Sequence, residues 1–108
     1  MKNWTIENSL ELYNVEGWGA GYFGINQKGH IVVRPQFNNK HSIDLKDLVE
    51  DIGKKGYALP ALIRFSDILH SSIAKLANAF KKASEEYGFN GEYHGVYPIK
   101  VNQQRQVV

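Results

Sequence analysis

The order of apolar and amphipathic segments in the second half of the chain constrains the fold most. Residues 57–65 form an apolar run of strand length, and residues 93–101 form another. Between them, residues 66–87 repeat apolar side chains every three or four positions, which predicts a helix. A strand, a crossover helix and a second parallel strand make a right-handed βαβ unit. The order therefore predicts an α/β fold that starts a TIM-like (β/α)8 barrel.

The predicted crossover helix has clear start and stop signals. Ser66 is a suitable N-cap, Asp67 suits the positive end of the helix dipole, and Gly88 is a natural C-cap. The apolar face consists of Leu69, Ile73, Leu76, Phe80, Ala83 and Tyr87. This spacing indicates packing against a core.

Lys100 is the strongest candidate for a functional residue. It ends the second apolar run, and in a barrel the C-terminal ends of the strands face the active site. Burial there disfavours a charged amine, and a neutral lysine amine can form a Schiff base with a carbonyl cofactor. The alternative is a surface lysine at a strand end. Arg64 lies near the end of the first run, where it can bind a phosphate or carboxylate or form a structural ion pair.

The first half of the chain predicts a β-hairpin followed by a helix. Residues 22–25 and 30–33 are rich in β-prone side chains and flank a polar, glycine-containing turn at residues 26–29. After a polar connector at residues 35–42, Asp44 is predicted to cap a helix that ends near Gly53. The Gly-x-Gly-x-x-Gly match at residues 19–24 precedes turn residues, so a dinucleotide site is not predicted.

Composition excludes several classes of function. The net charge is +2 with no long run of one sign, so no nucleic-acid partner is indicated. The absence of cysteine excludes a disulfide framework and fits a cytoplasmic protein. The four histidines are isolated in sequence, so no metal site is predicted, and His30 is expected to be solvated. No apolar run approaches the roughly 20 residues of a membrane span.

Residues 96–103, which read Val-Tyr-Pro-Ile-Lys-Val-Asn-Gln, resemble the cofactor-lysine motif of biosynthetic arginine decarboxylases. These are alanine-racemase-like, fold type III enzymes that depend on pyridoxal phosphate. Tyr97, Lys100 and Asn102 fill the wider Tyr-x-x-Lys-x-Asn pattern of that class. Further matching positions are Pro98, Gln103, Gln104 and Arg105, together with residues 16–23, 29–30, 43–45 and 59–65.

The resemblance implies decarboxylation of L-arginine to agmatine and carbon dioxide, a step in polyamine and spermidine biosynthesis. It implies pyridoxal 5′-phosphate held by Lys100, with Tyr97, Asn102 and Arg64 as cofactor-binding residues. On ideal strand alternation Tyr97 is out of phase with Lys100 and can pack behind the cofactor instead. Asn102 can instead cap the next helix, which we favour. A magnesium requirement and a homo-oligomer are further implications.

The resemblance also implies how the chain is organised. Residues 1–42 would belong to a β-rich domain, residues 43–56 to a connecting helix, and residues 57–108 to the first βαβ unit of the cofactor-binding barrel. A complete barrel needs roughly 200 residues or more, so we expect the 108-residue chain to be the N-terminal piece of a longer enzyme. By itself such a piece should be inactive and poorly stable. A complete small protein is the alternative.

Three rival functions are compatible with the sequence. The first is a non-catalytic pyridoxal-phosphate-binding barrel protein, which would share the lysine but not the N-terminal glycine-tryptophan segment. The second is another amino-acid decarboxylase or a racemase of the same class. The third is an interaction domain without enzymatic activity.

Overall fold

The computed structural model describes residues 3–37 and 40–108, so Asn38 and Asn39 of the predicted connector lie outside the described residues. The chain divides into two compact units, Met1–Ser72 and Ile73–Val108. Within the described ranges, helices and a three-stranded antiparallel sheet give a mixed α/β structure. No helix in those ranges combines the length and the apolar character needed to cross a bilayer.

Two short helices begin the first unit: α1 is Ile6–Leu12 and α2 is Val15–Gly19. Thr5 and Asn8 form a reciprocal capping box in front of α1, in which the Thr5 side chain accepts the Asn8 backbone N–H. The β-prone pattern of the sequence begins only at residue 22, and a helical turn is the most that residues 9–13 predict. The helix starts earlier because the Thr5 cap satisfies its first backbone donors.

The predicted hairpin is confirmed. Strand β1 is Phe23–Ile25 and strand β2 is Ile31–Val33, paired antiparallel so that Gly24 faces Val32. In the turn, Gly29 adopts φ +79°, a left-handed conformation that favours glycine. A third short strand, β3 at Ile43–Asp44, pairs with the other edge of β2 and was not predicted.

Helix α3, Leu45–Lys54, starts where the sequence predicted. Asp44 caps it, because its Oδ1 accepts the backbone N–H groups of Lys46 and Asp47 at 3.0 and 3.3 Å. The helix continues one residue past Gly53, and the chain then turns at Gly56, whose φ is +85°. The apolar positions of α3 are half-buried, and the helix packs on β2.

The core of the first unit is small. Its buried apolar side chains are Val15, Tyr22, Val32 and Val33. The hydroxyl of Tyr22 donates to Ser71 Oγ and accepts from Ser72 Oγ, each at 3.1 Å. A buried phenol needs such partners, so these two bonds attach the sheet to a segment about fifty residues later in the chain.

The long helix α4, Ser66–Tyr87, confirms the predicted amphipathic element. Ser66 is its first helical residue and not the residue before it, a difference of one position. Gly88 follows with φ +63°, as expected of a C-terminal glycine. The apolar face of α4 is exposed, with Ile73 at 59% and Phe80 at 47%.

The two predicted barrel strands are not formed as strands in this structure. Residues 57–65 and 93–98 have no ladder partners, residues 59–60 form a bend, and Ile99–Val101 is a 3₁₀ turn. Leu62 is 77% exposed and Val96 is 90% exposed, so the expected burial is also absent. Parallel strands are stable only when neighbouring strands and helices cover them, and the described residues supply no such neighbours. The barrel start therefore stays a prediction.

Candidate active site

Lys100 lies in the middle of the 3₁₀ turn Ile99–Val101. Two backbone bonds close this turn, from Val101 N to Pro98 O at 3.2 Å and from Asn102 N to Ile99 O at 3.1 Å. The Lys100 side chain is exposed, which differs from the buried strand end expected from sequence. Its amine makes no ion pair within residues 3–37 and 40–108. Local hydrogen bonds therefore hold the backbone of Lys100, while its side-chain nitrogen is accessible.

Asn102 supports the backbone directly after the lysine. Its Oδ1 accepts the backbone N–H of Gln104 at 3.1 Å, which is an Asx turn. The Gln104 carbonyl in turn accepts from Val107 N at 2.9 Å and Val108 N at 3.1 Å. No helix follows Asn102 among the described residues, so the helix-capping role that the sequence favoured stays a prediction. Contact of Asn102 with a cofactor stays a prediction.

The other two candidate cofactor-binding residues are also exposed. Tyr97 is 58% exposed and lies three residues before Lys100, so the second unit brings Tyr97, Lys100 and Asn102 together in one six-residue segment. Arg64 is exposed and belongs to the first unit. The roles predicted for Arg64 and Tyr97 stay predictions.

An aromatic stack anchors the segment that leads to Lys100. The rings of Phe80 on α4 and Tyr93 are stacked with centroids 4.3 Å apart and planes 9° from parallel. Aromatic pairs of this kind contribute about 0.5–1.5 kcal/mol beyond the burial of area. Sequence reasoning placed Phe80 on a core-facing stripe but did not predict Tyr93 as its partner. The stack fixes the start of residues 93–101 against α4.

A second polar cluster lies in the first unit and was not predicted. His30 Nδ1 lies 2.8 Å from Asp44 Oδ2, which also accepts from Asn26 Nδ2 at 2.7 Å. His30 is therefore bonded and not merely solvated, which corrects the sequence-based expectation. Ligand atoms of His30, Asp44 and Asp47 lie within 4.8 Å of one another. Both Asp44 oxygens already accept protein N–H groups, so the cluster is explained as structural.

These bonds shift the ionisation of Asp44. Burial raises the pKa of this carboxyl, but hydrogen bonds from His30, Asn26 and the backbone N–H groups of Asp47 and Lys46 outweigh it. Together they lower the pKa of Asp44 from 3.8 to about 2. The folded state therefore holds the Asp44 proton less tightly than an unfolded chain does.

The Asp44 shift predicts a pH dependence of stability. The stabilisation is complete above pH 3.8 and is lost as the pH falls towards 2, because the carboxyl must then be protonated. We expect Asp44→Asn to melt lower than wild type near neutral pH. The difference should shrink as the pH falls through this window. Thermal melts of the full-length protein from pH 6 down to about pH 2 measure it.

Asp51→Asn is the matched control for this prediction. Asp51 is an exposed carboxylate on α3, the helix that Asp44 caps, and it pairs with Lys54 at 3.2 Å. Its replacement should change the melting temperature little at any pH, since exposed pairs are weak. If the melting temperatures of wild type and Asp44→Asn differed by the same amount at every pH, the structural role of the His30–Asp44 cluster would be contradicted.

No protein-family model matches the chain. It is 56% identical over all 108 residues to a biosynthetic arginine decarboxylase of Gloeobacter violaceus and 53% identical to one of Phocaeicola vulgatus. A biosynthetic arginine decarboxylase of Thermosynechococcus vestitus is 48% identical over 106 residues. The resemblance to biosynthetic arginine decarboxylases is confirmed. The chain spans 17% of the length of each of these relatives.

The donor chemistry around Lys100 fits the cofactor that this resemblance implies. Lys100 is the only lysine in residues 83–108, and its exposed amine can react with an aldehyde. Arg105 is a nearby cation in the sequence that suits a phosphate group. The side chains of Tyr97, Lys100 and Asn102 are all exposed, so this segment lies at the surface of the described part of the chain.

Proposed function

We propose that this chain supplies the cofactor-lysine segment of an enzyme that decarboxylates L-arginine to agmatine and carbon dioxide. One observation carries the proposal: identity of about one half over the whole chain to proteins named biosynthetic arginine decarboxylase. Identity at this level, spread from the capped helix α1 to Lys100, is far stronger than a short lysine motif alone.

The cofactor would be pyridoxal 5′-phosphate, which supplies an electron sink for the carbanion that remains after loss of carbon dioxide. Lys100 would hold it covalently through Nζ and is the proposed catalytic residue. Pro98 before the turn restricts the backbone, and the Asx turn of Asn102 fixes the backbone after it. The lysine backbone is therefore preorganised while four side-chain torsions let Nζ move.

The same amine is suited to proton transfer. When Nζ of Lys100 does not hold the cofactor, it would be available to hold or return a proton. Arg64 is proposed to bind the cofactor phosphate, because a guanidinium donates two parallel bonds to an oxyanion. Tyr97 is proposed to pack against the cofactor ring.

Three further properties belong to the proposal. A magnesium requirement and assembly into a homo-oligomer are supported by the family resemblance alone. A cytoplasmic location is supported by the absence of cysteine, which suits a reducing compartment. A place in polyamine biosynthesis follows from the proposed product, agmatine, which is a cationic amine.

The substrate is tested by carbon dioxide release from the full-length protein. L-Arginine, L-ornithine and L-lysine are offered separately in the presence of pyridoxal phosphate and magnesium. We expect kcat/KM for L-arginine to exceed that for L-ornithine and L-lysine by at least about a hundredfold. A site that binds the substrate's guanidinium group loses about 3 kcal/mol of transition-state binding with an amine in its place. Preference for another amino acid would identify a different decarboxylase. Cofactor binding without any release would identify a non-catalytic binding protein.

A further inference from the structure

A cavity of about 360 Å³ lies beside β1 in the first unit. Its walls include the apolar residues Leu10, Phe23 and Ile25, and two residues of opposite charge, Glu16 and Arg34. The volume is at the lower end of the range of small-molecule sites. Nothing in the proposed decarboxylation uses these residues, so the cavity needs its own explanation.

Arg34 is half-buried and rests against the backbone of Gly24. A Cβ atom placed on Gly24 would lie 2.8 and 2.9 Å from the two terminal nitrogens of Arg34 and 3.1 Å from its Cζ. Glycine at position 24 therefore creates the space that the guanidinium occupies. The Arg34 backbone is also fixed, since its N–H donates to the Tyr22 carbonyl at 2.7 Å.

The guanidinium has no acidic partner in the described part of the chain. None of its nitrogens lies within 4.0 Å of a carboxylate there, although Glu16 lines the same cavity. A partly buried cation is normally paired, because its loss of hydration must be compensated. The planar fork of a guanidinium matches the two oxygens of a carboxylate. An external carboxylate is thus the natural partner of Arg34.

The second charge restricts the ligand further. A ligand with only a negative charge would be attracted by Arg34 but repelled by Glu16. A ligand with only a positive charge would be attracted by Glu16 but repelled by Arg34. A molecule that carries both a carboxylate and an ammonium group satisfies both residues. We propose that this cavity binds a free α-amino acid with a small apolar side chain. Its carboxylate contacts Arg34, its ammonium group lies towards Glu16, and its side chain packs on the apolar part of the cavity wall that includes Leu10.

Calorimetric titration of the full-length protein tests the ligand class. The probes are L-leucine, L-leucinamide, which has no carboxylate, and 4-methylpentanoate, which has no ammonium group. We expect L-leucine to bind with a Kd at least about tenfold below that of either analogue. Absence of saturable L-leucine binding in the low millimolar range overturns the proposal, and so does equal binding of either analogue.

Substitutions locate the binding. Gly24→Ala keeps every charge but displaces the guanidinium, and Arg34→Gln removes the charge. Each should raise the Kd for L-leucine about tenfold or more. Lys28→Gln is the matched control, because it removes one positive charge from an exposed residue of the hairpin turn. It should leave the Kd unchanged, and unchanged binding in Arg34→Gln would overturn the assignment.

Two further measurements keep the result independent of folding and of the active site. Arg34→Lys retains the positive charge but loses the planar guanidinium with its two parallel N–H donors. A folded Arg34→Lys variant with weakened L-leucine binding therefore supports the proposal. The ligand series on the wild-type protein decides the matter if the variants do not fold. Lys100→Ala should bind L-leucine as wild type does. Binding that disappears in Lys100→Ala would place L-leucine in the decarboxylase site and overturn the separate cavity.

Discussion

Replacing Lys100 with alanine is expected to abolish covalent attachment of pyridoxal phosphate and to lower kcat for arginine by more than about a thousandfold. The loss combines covalent catalysis with a proton-transfer contribution of about 10² to 10⁴. No other lysine lies in residues 83–108, so no neighbour in the segment can take over. The backbone turn should persist, because its bonds run between main-chain atoms.

Two measurements on the full-length protein check the Lys100 prediction. The visible absorption band of the bound cofactor should be lost or shifted in Lys100→Ala. Borohydride reduction followed by peptide mapping should place the pyridoxyl group on Lys100 in wild type. Lys82→Ala, which removes an exposed lysine from α4 in the same unit, is the control and should keep both band and turnover. Retained activity in Lys100→Ala would end the proposal of a covalent lysine.

The elements that sequence predicted correctly are those whose signals lie within a few residues. Helix α4 has its apolar repeat and a terminal glycine, and the β1–β2 hairpin has a polar turn with Gly29. The Asp44 cap is also local, since its bonds reach only Lys46 and Asp47. Such features depend on backbone geometry that neighbouring residues determine, so they persist whatever surrounds them.

The features that sequence missed depend on residues far apart in the chain. His30 and Asp44 are separated by fourteen positions, and the strand pairing of β2 with β3 brings them together. Tyr22 meets Ser71 across forty-nine positions. Neither pairing leaves a pattern in the local sequence. A three-dimensional arrangement of the sheet is needed before these contacts can be recognised.

The candidate site also combines features that depend on neighbouring residues with features that depend on distant ones. The motif around Lys100 predicts a cofactor lysine from a few neighbouring residues, and the Asx turn of Asn102 is a local feature of the same segment. The expected burial of Lys100 depends on barrel strands that residues 57–65 and 93–98 do not form here. A strand becomes regular when it exchanges hydrogen bonds with neighbours, so apolar composition alone cannot produce it.

The 108-residue chain alone is expected to lack a cooperative thermal transition. Large apolar side chains are exposed in both units, and Leu62, Ile73, Val96 and Val101 are each more than half exposed. The buried apolar residues of the described ranges are few, and such a core cannot offset the conformational entropy lost on folding.

Calorimetry and dye binding on the purified 108-residue chain check this expectation. We expect a broad or absent heat-capacity peak, strong binding of a hydrophobic dye such as ANS, and concentration-dependent association. Helical circular dichroism from α4 should persist, because its start signals and apolar repeat are local. The full-length protein should give a sharp transition under the same conditions, since its additional residues can cover the apolar face of α4. A sharp, reversible melt of the 108-residue monomer would show that the exposed apolar segments pack without any such cover.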